Sequence, residues 1–101
     1  MLFLIMFVAT VATICLLTVW TRPGLDRRSR SLVTLTALVA LGSHEELAMH
    51  VRAARTNGLS TDEIKEVLLQ TAVYCGVPTA NTAFRIAQRV LDELDATGGL
   101  A

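Results

Sequence analysis

Basic residues are too few and too scattered in this sequence to build a surface that follows a phosphate backbone. Nine Lys and Arg residues balance nine Asp and Glu residues, so the formal net charge at pH 7 is zero. Because nucleic-acid binding depends on clustered cations, we expect no nucleic-acid partner.

Cysteine is also scarce, with Cys15 inside an apolar run and Cys75 at the end of a helical pattern. Their spacing matches neither a disulfide framework nor a zinc site, so we expect no metal and a cytoplasmic protein. A chain of 101 residues forms one domain at most. A domain of this size buries too little surface for more than marginal stability, which favours a homo-oligomer.

Charge is missing altogether from residues 1–19, MLFLIMFVATVATICLLTV, a run just long enough to span a bilayer. Trp20 follows where an interfacial aromatic would lie, and four arginines come next: Arg22, Arg27, Arg28 and Arg30. This pattern predicts a membrane anchor with the carboxyl-terminal part in the cytoplasm. An anomalous amino terminus and a buried helix are the alternatives, whereas a cleaved signal peptide fits less well because no basic start or small-residue cleavage site is present.

The rest of the chain contains residues typical of helix starts and helix ends, and it shows no alternation of apolar and polar residues typical of strands. Asp26 is placed to cap a helix that Gly42 ends. Two S-x-x-E capping boxes begin the next helices, Ser43 with Glu46 and Ser60 with Glu63. We expect these helices to end at Gly58 and Gly76, respectively.

A last helix is predicted with Pro78 in its first turn and Gly98 and Gly99 at its end. Its apolar residues follow three-and-four spacing: Ala80, Ala83, Phe84, Ala87, Val90, Leu91 and Leu94. The fold class is therefore all-α, a bundle of four helices after residue 25 with an extra apolar helix in front. We divide the chain into an apolar segment, 1–19, and a helical domain, 20–96.

His50 is the strongest candidate for acid–base chemistry, on the edge of an apolar helix face with Glu46 one turn away. A neighbouring carboxylate orients an imidazole and favours its protonated form, as a proton donor requires. The structural alternative is a capping Glu46 and a hydrogen-bonded edge histidine. His44, at the exposed start of the same helix, is a weaker candidate.

Cys75 shares the predicted inward face of its helix with Ile64, Val67, Leu68 and Thr71, where a cysteine is most often inert packing. The negative end of the helix dipole also disfavours its thiolate. Glu63 lies twelve residues earlier, roughly 18 Å away along a straight helix. The two residues share a site only if the helix breaks or another subunit contributes one of them.

Two blocks carry a family resemblance, WTRPGLDRRSRSLVTLTALVAL and EELAMHVRAARTNGLSTDEIKEVLLQTAVYCGVPTANTAFRIAQRVLDEL. Together, HVRAARTNG and DEIKEVLLQTAVYCGVPTAN closely resemble the 4-carboxymuconolactone decarboxylases of the protocatechuate branch of aromatic catabolism, in the alkylhydroperoxidase D-like family. The resemblance covers residues 20–94. It implies an all-helical, cofactor-free homo-oligomer that converts 4-carboxymuconolactone, a lactone dicarboxylate, to the β-ketoadipate enol-lactone.

The resemblance also implies roles for individual residues. His50, supported by Glu46, fits the acid that protonates the ring carbon, and three arginines are candidates to hold substrate carboxylates: Arg28, Arg30 and Arg52. Glu63 and Cys75 match the first two places of the relatives' E-x11-C-x2-C-x3-H motif, so they are added to the candidate catalytic residues.

Three departures from that pattern are visible. Pro78 stands in the second cysteine place and Thr82 in the histidine place. A lone thiol argues against disulfide-based peroxide turnover, which remains the alternative function together with a non-catalytic, membrane-tethered remnant. The third departure is residues 1–19, where family members normally continue with polar helical sequence.

Overall fold

The computed structural model describes residues 1–97, all of whose regular structure is helical. Helix α1 spans Leu2–Trp20, α2 spans Arg27–Leu41, α3 spans His44–Thr56, α4 spans Thr61–Cys75 and α5 spans Val77–Ala96. The predicted all-α class, with four helices after residue 25 and one apolar helix before them, is confirmed. Helix α5 ends at Ala96 with Thr97 as its cap. The helix end predicted at Gly98 and Gly99 lies outside the described residues.

Helices α2 to α5 form a closed bundle around one core. Helix α2 packs on α3 and α4, and α5 packs on the same two helices. The core takes leucine, isoleucine, valine and alanine side chains from all four helices: Leu35, Val39, Leu47, Val51, Ala54, Ile64, Leu68, Ala83, Ala87, Val90, Leu91 and Leu94. Six of the seven apolar residues predicted on the last helix are buried, and Phe84 is half-buried against the core.

Most helix ends form as their capping residues predict. The Asp26 carboxylate accepts a hydrogen bond from the Ser29 amide at 2.7 Å. Ser60 and Glu63 form a complete capping box, with amide-to-side-chain distances of 3.0 and 3.1 Å in the two directions. These contacts satisfy amide groups that have no partner inside the helix.

The capping box predicted for Ser43 and Glu46 is wrong. Ser43 does precede α3, but its side chain makes no capping hydrogen bond. Its amide already donates to the Leu38 carbonyl at 3.0 Å, closing the end of α2 after Gly42 turns left-handed at φ 68°. Since the box needs that same amide as donor to Glu46, the short connection between α2 and α3 excludes it.

Helix α1 differs from the other four because none of its residues is buried. Within residues 1–97 it is the one helix long and apolar enough to cross a membrane, with a mean hydropathy of 2.7. The predicted alternative of a buried helix is thus not observed within this chain. Only the carboxyl-terminal end of α1 comes near the bundle, through Trp20.

Candidate functional site

The His50 imidazole is half-buried on α3 and stacks on the indole of Trp20. The ring centroids are 6.0 Å apart and the planes differ by 17°. This separation is within the range of stabilising ring pairs. The contact joins the last residue of α1 to the middle of α3, so it fixes the imidazole where the apolar helix meets the bundle.

A cavity of about 280 Å³ opens beside this ring pair, and we call it the His50 cavity. Three helices build it, with apolar and aromatic walls from α1 and polar groups from α2 and α3: Leu16, Leu17, Trp20, Arg27, His50 and Asn57. The Asn57 side-chain amide donates to the hydroxyl of the buried Ser31 at 3.0 Å, which fixes its orientation. The cavity therefore combines an imidazole and a guanidinium within apolar walls.

Glu46 does not engage His50 in the described structure. Its side chain is exposed, and no hydrogen bond or ion pair joins it to the imidazole within residues 1–97. The two residues are nonetheless one turn apart on α3, close enough for contact after a rotamer change. A supporting role for Glu46 stays a prediction.

The three arginines predicted to hold carboxylates lie outside the His50 cavity. Arg28 of α2 forms an ion pair with Glu63 of α4, and Arg52 of α3 forms one with Glu93 of α5. Arg30 donates to two backbone carbonyls of the segment before α2, those of Leu25 at 3.0 Å and Arg22 at 3.2 Å. Each of these arginines thus already holds two parts of the fold together.

Arg27, Trp20 and Asn57 line the cavity, but the sequence did not single them out as site residues. Asn57 could have been found, because it lies seven residues after His50 and so on the same helix face. Arg27 and Trp20 could not have been found from the sequence, because their position beside His50 depends on how α1, α2 and α3 meet.

Glu63 and Cys75 lie at opposite ends of α4, which is unbroken from Thr61 to Cys75. Glu63 is occupied by the Ser60 cap and the Arg28 ion pair, while Cys75 is half-buried rather than part of the core. Within one chain the two residues therefore share no site. Residues 1–97 also contain no cluster of three or more His, Cys, Asp or Glu side chains placed to hold a metal ion.

Comparison with known proteins gives one family. The model of the carboxymuconolactone decarboxylase family matches residues 7–89, beginning within α1. A 4-carboxymuconolactone decarboxylase from Acinetobacter baylyi is 49% identical over 76 residues, 75% of this chain and 57% of the relative. A nitrosuccinic acid decarboxylase from Metarhizium robertsii is 43% identical over 77 residues, 76% of this chain and 54% of the relative.

A third similar protein, an uncharacterized 15.0 kDa protein from Paracoccus denitrificans, is 38% identical over 76 residues, 73% of this chain and 57% of its own length. The chain thus spans a little over half the length of the curated relatives it matches. The family resemblance predicted from the two sequence blocks is confirmed. The chain belongs to the carboxymuconolactone decarboxylase family.

Proposed function

We propose that this chain catalyses the cofactor-independent decarboxylation of 4-carboxymuconolactone in aromatic catabolism. Support comes from family membership and from the identity of 49% to a decarboxylase named for that substrate. The observation that carries the proposal is the position of His50, whose imidazole faces a cavity together with the Arg27 side chain. A proton donor and a partner for a carboxylate are the two groups that the reaction requires.

The reaction breaks the bond between a ring carbon and its carboxylate. Carbon dioxide leaves, and the electron pair moves through the ring double bond into the lactone carbonyl, which becomes a dienolate oxygen. A proton from the His50 imidazolium then forms the new C–H bond, and solvent returns a proton to the imidazole. Because the lactone accepts the electrons, the protein needs only to bind, orient and protonate.

The geometry of the His50 cavity supports this division of roles. Stacking on Trp20 restricts the orientation of the imidazole, which lowers the entropic cost of a positioned proton transfer. The Arg27 guanidinium can take a carboxylate through paired hydrogen bonds. Leu16 and Leu17 give one side of the cavity an apolar wall.

Arg27 is consequently our first choice for holding a substrate carboxylate. The binding roles predicted for Arg28, Arg30 and Arg52 remain predictions, as do catalytic roles for Glu63 and Cys75. Nothing in the contacts of Cys75 favours the alternative peroxide chemistry, since Glu63 lies at the far end of α4.

The decisive experiment follows lactone consumption by absorbance with the full chain and its His50→Ala variant. Loss of a general acid lowers turnover by roughly 10² or more. Met49→Ala is the matched control, because Met49 neighbours His50 on α3 but is 60% exposed and lies outside the cavity. Near-normal turnover of His50→Ala would remove the imidazole from the mechanism.

A second pair of variants tests the proposed binding of a substrate carboxylate by Arg27. Arg27→Gln should raise KM more than it lowers kcat if the guanidinium binds the carboxylate in ground and transition states alike. Arg22→Gln removes the same charge from an exposed residue outside the cavity and should change neither constant. Equal effects of the two substitutions would mean that only long-range charge is involved.

We also propose that copies of this chain associate, since α1 exposes large apolar side chains along its whole length. An apolar surface of this extent needs a cover in water, and helices of neighbouring copies would provide one. A bilayer is the alternative cover, supported by the length and hydropathy of α1. Fractionation of cells distinguishes association of copies from insertion into a bilayer. An oligomer is recovered as a soluble assembly of defined mass, whereas an anchored chain is recovered with the membranes.

A further inference from the structure

A second cavity, of about 370 Å³, lies between the start of α3 and the middle of α5. Its lining consists of two arginines, one histidine, one threonine, one acid and one apolar residue: His44, Glu45, Thr82, Arg85, Ile86 and Arg89. We call it the arginine cleft. It shares no lining residue with the His50 cavity, so the proposed decarboxylation does not account for it.

The two guanidinium groups of the arginine cleft lack acidic partners. Arg89 makes no hydrogen bond or ion pair within residues 1–97, and Arg85 reaches only the Thr82 hydroxyl at 3.4 Å. Glu45 lines the same cleft but pairs with neither. By contrast, Arg28 and Arg52 each hold a carboxylate on a neighbouring helix.

The spacing of Arg85 and Arg89 brings their like charges together. Four residues on a helix advance about 6 Å along the axis and return to the same face. Two cations placed this way repel each other unless an anion lies between them or over them. A ligand with two carboxylates removes that repulsion and gives each guanidinium a planar partner for paired hydrogen bonds.

We propose that the arginine cleft binds a small dicarboxylate, with one carboxylate on Arg85 and the other on Arg89. The His44 imidazole lies within the same lining and offers a further hydrogen bond, whereas the Thr82 hydroxyl already donates to the Pro78 carbonyl at 3.3 Å. Glu45 restricts the choice of ligand, because its negative charge in the same lining opposes any carboxylate that lacks an arginine partner. The cavity volume is enough for a molecule of four to six carbon atoms.

Isothermal titration calorimetry with succinate tests the proposal on the full chain at low ionic strength. We expect saturable binding that weakens by about tenfold or more in Arg85→Gln and in Arg89→Gln, since each substitution removes one charge-assisted contact. Arg22→Gln is the matched control for charge, because it removes one exposed cation that does not line the cleft. Both cleft arginines are exposed, so their variants should keep the circular dichroism spectrum of the parent chain.

Three results would overturn the proposal. Equal weakening by Arg22→Gln would mean that succinate responds only to overall charge. Loss of binding in Arg27→Gln, with Arg85→Gln and Arg89→Gln unaffected, would assign the ligand to the His50 cavity instead. Equal affinity for acetate would show that a second carboxylate contributes nothing.

Discussion

Helix α1 and helix α5 have almost the same length but opposite relations to the core. Helix α1 is apolar on every side and buries nothing, whereas α5 buries only the residues of one face. Apolar content therefore does not decide which helix enters the bundle. The spacing of the apolar residues decides it, because a single apolar stripe fixes how a helix is oriented against its neighbours. A uniformly apolar surface does not fix that orientation.

The two regions meet through the carboxyl-terminal end of α1. Leu16, Leu17 and Trp20 form part of the His50 cavity, although no residue of α1 belongs to the core. A helix that contributes little to the stability of the bundle thus contributes a wall to its candidate site. The following predictions separate these two contributions.

The largest effect should come from the bundle core. Leu68 is fully buried on α4, and Leu68→Ala should lower the free energy of unfolding by about 2–5 kcal/mol through lost burial and a residual cavity. The same change at Leu4 of α1, whose side chain is 61% exposed, should cost the bundle of a single chain no more than about 0.5 kcal/mol. Denaturant titration followed by circular dichroism measures both. Comparable losses would show that Leu4 is covered by neighbouring copies, as proposed above for the exposed surface of α1.

Removing α1 should affect turnover more than folding. A chain beginning at residue 22 keeps all four bundle helices but loses the ring that stacks on His50. We expect native helical structure with lactone turnover lowered at least about tenfold, because an imidazole open to water is less well oriented. A chain beginning at Trp20 sharpens the test, since it keeps the indole and lacks Leu16 and Leu17. Full activity of both truncated chains would make the α1 wall dispensable.

A smaller effect is expected from the ion pair that joins α3 to α5. Arg52 and Glu93 are both about half exposed, so water and salt screen their attraction. Arg52→Ala should destabilise the bundle by less than about 1 kcal/mol, and the difference from the parent chain should shrink as salt is added. A loss that is independent of salt would point to packing of the arginine stem instead.

The smallest effect concerns the cap of α2. Hydrogen bonds from Ser29 lower the pKa of the Asp26 carboxyl below its ordinary value. Because the pKa is lower in the folded state, the carboxylate stabilises the fold above the unfolded-state pKa of about 4, and this contribution is lost as the pH falls through the folded-state value. Asp26→Asn keeps a capping side chain without the titrating group. Thermal unfolding between pH 2 and 7 should show a slightly flatter acid limb for the variant, and identical profiles would contradict the assignment.

Local sequence rules predicted the helices well because their causes are local. The carboxylate of Asp26 and the box of Ser60 with Glu63 need only residues within one turn. At Ser43 the same rule failed, since the end of the preceding helix already uses the Ser43 amide. Helices α2 and α3 are joined so closely that both can use the Ser43 amide. The capping motif in the sequence does not show which of the two helices uses it.

The candidate site was predictable only in part. His50 could be proposed from residue type and position on an apolar edge, but its observed neighbour is Trp20 rather than Glu46. Among the arginines, the sequence favoured Arg28, Arg30 and Arg52, whose partners in the fold lie on other helices or in the backbone. Only the meeting of α1, α2 and α3 distinguishes Arg27 from them.

The stacked ring pair also provides an optical probe. Trp20 is the single tryptophan of the chain, so indole fluorescence excited at long wavelength comes from one known place, the contact with His50. Changes in its emission during titration with a lactone would follow occupancy of the cavity without any added label. The same emission would also reveal separation of α1 from the bundle before the remaining helices melt.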